Sequence, residues 1–125
     1  MITGKTRDHI INQLEKSDFQ FHLTGSRAMG NWHSESDWDY FTEDNPDVRA
    51  FLEKLGFGED SEASYDTSTV VYALGHYHVQ LVSNFGNRFK AQNMVLNNLY
   101  LVRVLHALSK KDAKNFWYAM LELIN

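Results

Sequence analysis

The chain has no cysteine, a single proline, and no apolar run approaching the ~20 residues that a membrane-spanning helix requires. Without cysteine there are no disulfides, no thiolate zinc sites and no cysteine nucleophile. The first residues, "MITGKTRDHIINQLEK", lack the apolar core of a secretory signal, so a cytoplasmic location is expected. Basic residues are also in deficit: 12 Lys and Arg stand against 16 Asp and Glu, for a net charge of -4. That balance provides no general attraction to nucleic acid, and any polyanion would need a local site. Apolar residues make up 43% and charged residues 22%, a globular rather than a disordered balance. A chain of 125 residues is expected to form one domain, 1–125, burying roughly two-thirds of its unfolded surface.

Local pattern supplies the element order. Ile10, Ile11 and Leu14 are at helical spacing within residues 5–17. "FQFHLTG" alternates into a glycine turn, and "SDWDYFTE" alternates with Asp37 and Asp39 on one face and Trp38 and Tyr40 on the other. "NPDVRAFLEKLGF" has proline at the first helical turn and glycine at the end, with Val48, Phe51, Leu52 and Leu55 as its buried stripe. "STVVYALGHYHVQLVSNF" reads as a hairpin about Gly75. From Asn87 onward, one apolar helix carrying Phe89, Met94, Leu96, Leu99, Val102 and Leu105 as core is followed by a second, amphipathic helix, "KKDAKNFWYAMLELIN". Phe116, Trp117 and Leu121 on that last helix face either the core or a second subunit, which leaves a homodimer open. The sum is a mixed α/β (α+β) domain with a four-stranded sheet covered by helices on one face.

The stretch "HLTGSRAMGNWHSESDWDYF", residues 22–41, concentrates the chemistry. Gly25 lets bare backbone N–H groups approach a phosphate, Ser26 adds a hydroxyl, and Arg27 adds a charged fork suited to phosphate oxygens. Gly30 lets the loop turn back. Two carboxylates two apart on a strand point the same way, ~6.5–7 Å apart along the chain. Asp37 and Asp39 so placed suit one or two Mg²⁺ or Mn²⁺ ions shared with substrate phosphates. A phosphate cradle beside metal-binding carboxylates is apparatus for metal-assisted phosphoryl transfer.

Gly25-Ser26, ten intervening residues, then Asp37-Trp38-Asp39 resembles the signature of the DNA polymerase beta-type nucleotidyltransferase superfamily. The fuller pattern, "GSRAMG" followed by "SDWD", is similar to that of its minimal single-domain members. The resemblance implies a nucleotidyltransferase-like fold and a nucleoside triphosphate, with ATP as the expected nucleotide, bound together with Mg²⁺. It implies that Gly25 and Ser26 contact the triphosphate, that Asp37 and Asp39 hold the metal, and that an acceptor hydroxyl attacks the α-phosphorus as pyrophosphate leaves. It also implies a third carboxylate on a later strand. The position in "HYHVQLVSN" that corresponds best is Gln80, with His78 two residues earlier on the same face. Glutamine offers a carbonyl ligand but accepts no proton at neutral pH, whereas neutral histidine is a possible base. Asp66 is a further possible substitute.

Other residues have plainer readings. Trp32 and His33, between the motif halves, are expected to clamp their own loop, and Trp38 and Tyr40 to be core. His76 and His78 read as a surface pair on a strand, with His22 as a more remote chelation partner. Lys110, Lys111 and Lys114 read as a solvated helix face. Two functions follow: a transferase moving AMP or another NMP to a hydroxyl on a protein or small molecule, or a nucleotide-binding module with weakened catalysis that masks a partner, as an antitoxin masks its toxin. Net charge disfavours a third, nucleic-acid-associated role.

Overall fold

A computed structural model describes residues 4–30, 34, 36–60 and 69–124. Along these residues the elements are α1 (Gly4–Lys16), β1 (His22–Thr24), α2 (Gly25–Met29), β2 (Trp38–Glu43), α3 (Pro46–Leu55), β3 (Gly58–Glu59), β4 (Thr69–Leu74), β5 (Tyr77–Val82), α4 (Phe85–Leu96), α5 (Leu99–Ala107) and α6 (Lys110–Ile124). The strands form one mixed sheet in the order β1-β2-β5-β4-β3, in which only β2 and β5 run parallel.

Side-chain caps start four of the helices, α6 through the Ser109 hydroxyl, which accepts from the Asp112 N–H at 3.2 Å. Asn45 Oδ1 accepts from the Val48 N–H at 2.8 Å, Asn84 Oδ1 from Asn87 at 3.2 Å, and Asn98 Oδ1 from both Tyr100 and Leu101 at 3.1 Å. The Asn98 cap divides the long apolar stretch expected after Asn87 into α4 and α5. The two helices therefore turn different faces to the core. Leu105 is fully buried, while Met94 and Leu99 are 52% and 60% exposed, so those two are surface residues and not the core expected of them.

Strand alternation gives the sheet one apolar face and one mixed face, which carries Thr24, Asp39, His78 and Gln80 beside Phe41. On the first, Tyr40, Tyr72, Tyr77, Val79 and Leu81 pack against Ile10 and Leu14 of α1 and Val48 and Leu52 of α3. On the second lie α4 and α6, joined to the strands by hydrogen bonds from Gln92 to Leu23 and from Gln80 to Tyr118. Met29, Ala91, Val95, Leu105, Ala113, Trp117 and Leu121 form a separate helical core there. Trp117 and Leu121 thus face inward, not toward a second subunit. Helices on both faces correct the expectation of one covered face. The fifth strand corrects the count of four: β3 pairs only two residues, Gly58 with Ala73 and Glu59 with Tyr72. The strand expected from Phe19 is shorter, pairing only at residues 22–24, while Phe19 and Phe21 pack beside Phe51.

One buried polar clamp fixes the end of β1. Thr24 Oγ1 donates to Gln92 Oε1 at 2.6 Å, and Gln92 Nε2 donates to the Leu23 carbonyl at 2.8 Å. Thr24 is 0% exposed and Gln92 5%, so neither has water as an alternative partner. Thr24→Val would leave the Gln92 carbonyl buried without its donor. The expected loss is about 1–3 kcal/mol, read as a lower denaturant midpoint with an unchanged slope. An unaltered midpoint would mean that the clamp does not hold α4 to the sheet.

Candidate functional site

Gly25 follows the clamped Thr24 with φ +68°, a left-handed conformation that glycine adopts without penalty. A Cβ at Gly25 would overlap Asp39 Oδ2 and stand 3.1 Å from Asp39 Cβ. The antiparallel register explains this closeness, because Thr24 pairs directly with Asp39. The glycine turn and the acidic strand therefore converge. The chain continues from Gly25 into α2, a five-residue helix where a loop was expected, closed by Gly30 at φ +87°, whose N–H bonds to the Ser26 carbonyl at 2.9 Å.

Across the sheet, parallel pairing sets His78 opposite Asp39. His78 Nδ1 lies 3.4 Å from Asp39 Oδ1 and 4.0 Å from Asp37 Oδ2, while His76 Nδ1 lies 3.0 Å from Asp37 Oδ1. His76 occupies the hairpin turn, not a strand, and its carbonyl accepts from the Trp38 N–H at 2.8 Å. His76 is a surface residue as expected, 74% exposed, and His78 is half-buried; both are also partners of the aspartates. The hydrogen bond to Asp39 raises the His78 pKa above its ordinary value, against an opposing contribution from burial, and the charges of Asp39, Asp37 and Asp60 add to the rise. Asp37 is 42% exposed and Asp39 23%, so both carboxylates remain open to solvent.

Among the described residues, no three His, Asp or Glu side chains are grouped so as to hold a metal ion on their own. Two solvent-accessible carboxylates nonetheless fit Mg²⁺ in its usual setting, where one or two protein carboxylates share the ion with substrate phosphates and water. Asp37 and Asp39 are the donors this chain would provide.

Ser26, half-buried, follows Gly25 as the second residue of α2. The other expected site residues are not at this cluster. Gln80 pairs with Phe41, one step further along β5 on the same face, and is 3% exposed. Its amide donates to Tyr118 Oη at 3.1 Å. Arg27 Nη2 donates to the Ser36 carbonyl at 3.0 Å, and its guanidinium lies 4.0 Å above the Trp38 ring, on the sheet face opposite Asp39. It ties the motif halves together from behind. His22 sits in a nest of Phe41, Phe85 and Phe89, remote from His76 and His78, and burial lowers its pKa. Lys110, Lys111 and Lys114 are exposed. Asp66, Trp32 and His33 lie outside the described residues. An open cleft of about 370 Å³ between Phe19, Thr42, Glu43 and Phe85 lies at the other end of β2 and shares no residue with the aspartate cluster. Sequence reasoning missed Thr24, Gln92 and Arg88: Thr24 ends an alternating strand, while Gln92 and Arg88 stand in the polar-rich run "SNFGNRFKAQN", where nothing local distinguishes them.

Compared with known proteins, the chain matches no family model, no characterised protein and no solved structure. Among the described residues, no helix is long and apolar enough to cross a membrane.

Two outcomes are expected from this geometry. Gly25→Ala forces a side chain into the Asp39 carboxylate at an unfavourable φ, with a stability loss of about 1–3 kcal/mol in chemical denaturation. In an NMR titration His78 should titrate above about 6.5, and Asp39→Asn should bring it back toward that ordinary value. Because the folded pKa is raised, the His78–Asp39 pair stabilises the fold fully below the unfolded pKa and loses that contribution as pH rises through the folded one. A His78 pKa indifferent to Asp39→Asn would rule the pair out.

Proposed function

We propose that the chain binds a nucleoside triphosphate, with ATP as the expected nucleotide, together with Mg²⁺ or Mn²⁺, and transfers NMP to a hydroxyl on a protein or small molecule. One observation carries this reading: Gly25 is held bare against Asp39, so the Gly25–Ser26 start of α2 and a pair of partly exposed carboxylates share one corner of the sheet. Gly25 and Ser26 would present backbone and hydroxyl donors to phosphate oxygens, and Asp37 and Asp39 would hold the cation. The cation, when bound, neutralises phosphate charge and stabilises the departing pyrophosphate. In the transfer, the acceptor oxygen forms a bond to the α-phosphorus and the bond to the pyrophosphate oxygen breaks, with the electron pair leaving on pyrophosphate. The hydroxyl proton passes to a base or to water. A protein acceptor or a second copy of the chain is supported by α5, which leaves Leu99, Tyr100 and Val104 exposed.

A second reading, nucleotide binding with little turnover by a partner-masking, antitoxin-like module, has its own observation. The β5 residue opposite Asp39 is His78, already engaged by both carboxylates, and Gln80 is buried under α6. Neither provides the third carboxylate.

Incubation with α-labelled ATP and Mg²⁺ or Mn²⁺ separates the two. Pyrophosphate release or label transfer that is lost in Asp37→Ala and Asp39→Ala establishes the transferase. Metal-dependent ATP uptake by calorimetry without pyrophosphate release establishes the binding module. No ATP uptake with either ion refutes both.

A further inference from the structure

The corner that holds Gly25 and Asp39 presents two carboxylates to any incoming polyphosphate, and that repulsion has to be offset. Arg27, the cation adjacent in sequence, is turned to the other face of the sheet, over Trp38. A different arginine comes to the acidic face. Arg88 projects from the first turns of α4, and its Nη2 donates to Thr24 Oγ1 at 3.2 Å. Thr24 is the residue paired with Asp39 and the one that precedes Gly25. The Arg88 guanidinium lies 4.9 Å from the ring of Phe41, two residues beyond Asp39 on the same strand face, and 6.0 Å from the ring of Tyr118.

We propose that Arg88 is an anion-binding residue of this corner, its guanidinium taking the polyphosphate of the nucleotide beside Gly25. The inference rests on the nucleotide reading of the site and assigns it a residue that the sequence motif does not contain. Three features suit Arg88 to the role. A guanidinium stays charged at every accessible pH and carries five N–H donors in a rigid fork that matches phosphate oxygens. The rings of Phe41 and Tyr118, 4.9 and 6.0 Å from the guanidinium, add cation–π attraction that helps to hold it on this face. The Thr24 hydroxyl is itself fixed by Gln92, so the arginine is anchored to the same clamp that places Gly25. A purely structural arginine would stabilise α4 without influencing affinity for anions.

The test is calorimetric titration of the full chain with ATP plus Mg²⁺ and, separately, with metal-free tripolyphosphate. Arg88→Gln removes the charge but keeps a donor for Thr24, and it should weaken both ligands about tenfold or more. Arg88→Lys restores the charge without the fork and should recover part of the loss. Equal binding by wild type and Arg88→Gln overturns the inference and leaves the nucleotide reading standing. Arg88-dependent uptake of tripolyphosphate, with ATP uptake indifferent to Asp37→Ala and Asp39→Ala, supports the anion site and removes the metal-carboxylate reading. Uptake of neither ligand by wild type overturns both. Should Arg88→Gln fail to fold, the side-chain Nε–H resonance of Arg88 in the wild-type protein decides: a shift on adding tripolyphosphate supports the site, and an unmoved resonance overturns it.

Discussion

The contact between the bare α-carbon of Gly25 and the carboxylate of Asp39 is the constraint around which the functional corner is organised. Any side chain at that position would separate the turn from the acidic strand. The contact persists because the end of β1 cannot drift: Thr24 and Gln92 satisfy one another in a site closed to water, and Gln92 also holds the Leu23 carbonyl. A buried polar pair of this kind adds little net stability when satisfied and costs much when broken. It therefore acts less as glue than as a register pin.

The electrostatics of the corner follow from strand pairing. Parallel alignment of β2 with β5 sets an imidazole, not a carboxylate, across from Asp39. The close approach of two aspartates is thereby answered by histidine within the protein itself. On the same face Arg88 reaches Thr24 and Phe41, while on the opposite face Arg27 stacks on Trp38. The two arginines illustrate how little a residue's distance along the chain says about which side of a sheet it serves. Helical cover on both faces makes this division possible. α1 and α3 close the first face over an aromatic and aliphatic core, and α4 with α6 closes the second while leaving its acidic corner accessible.

Much of the architecture was legible where local chemistry governs. Proline at the start and glycine at the end of residues 45–57 marked α3, whose cap is the Asn45 side chain. Alternation about Gly75 marked the β4–β5 hairpin, and alternation through residues 38–43 marked β2. The split at Asn97 and Asn98 went unread although an asparagine cap is a local signal, because the apolar periodicity continues across it. β3 had no such signal at all: two residues, Gly58 and Glu59, are a strand only because β4 offers them an edge.

The amino-acid sequence by itself determined which groups the corner contains: a glycine-serine pair, an alternating aspartate pair and a histidine-bearing hairpin, each written in contiguous residues, although the turn expected at Gly25 is the start of α2. Which partner each group meets was decided by the tertiary structure. Strand register chose His78 over Gln80 as the neighbour of Asp39, since a shift of two residues preserves the face yet moves a side chain by ~7 Å. Helix packing chose Arg88 over Arg27 for the acidic face, because only docking of α4 across β1 brings that side chain to Thr24. Periodicity specifies faces; contacts between distant segments depend on how whole elements pair and pack, which no short stretch encodes.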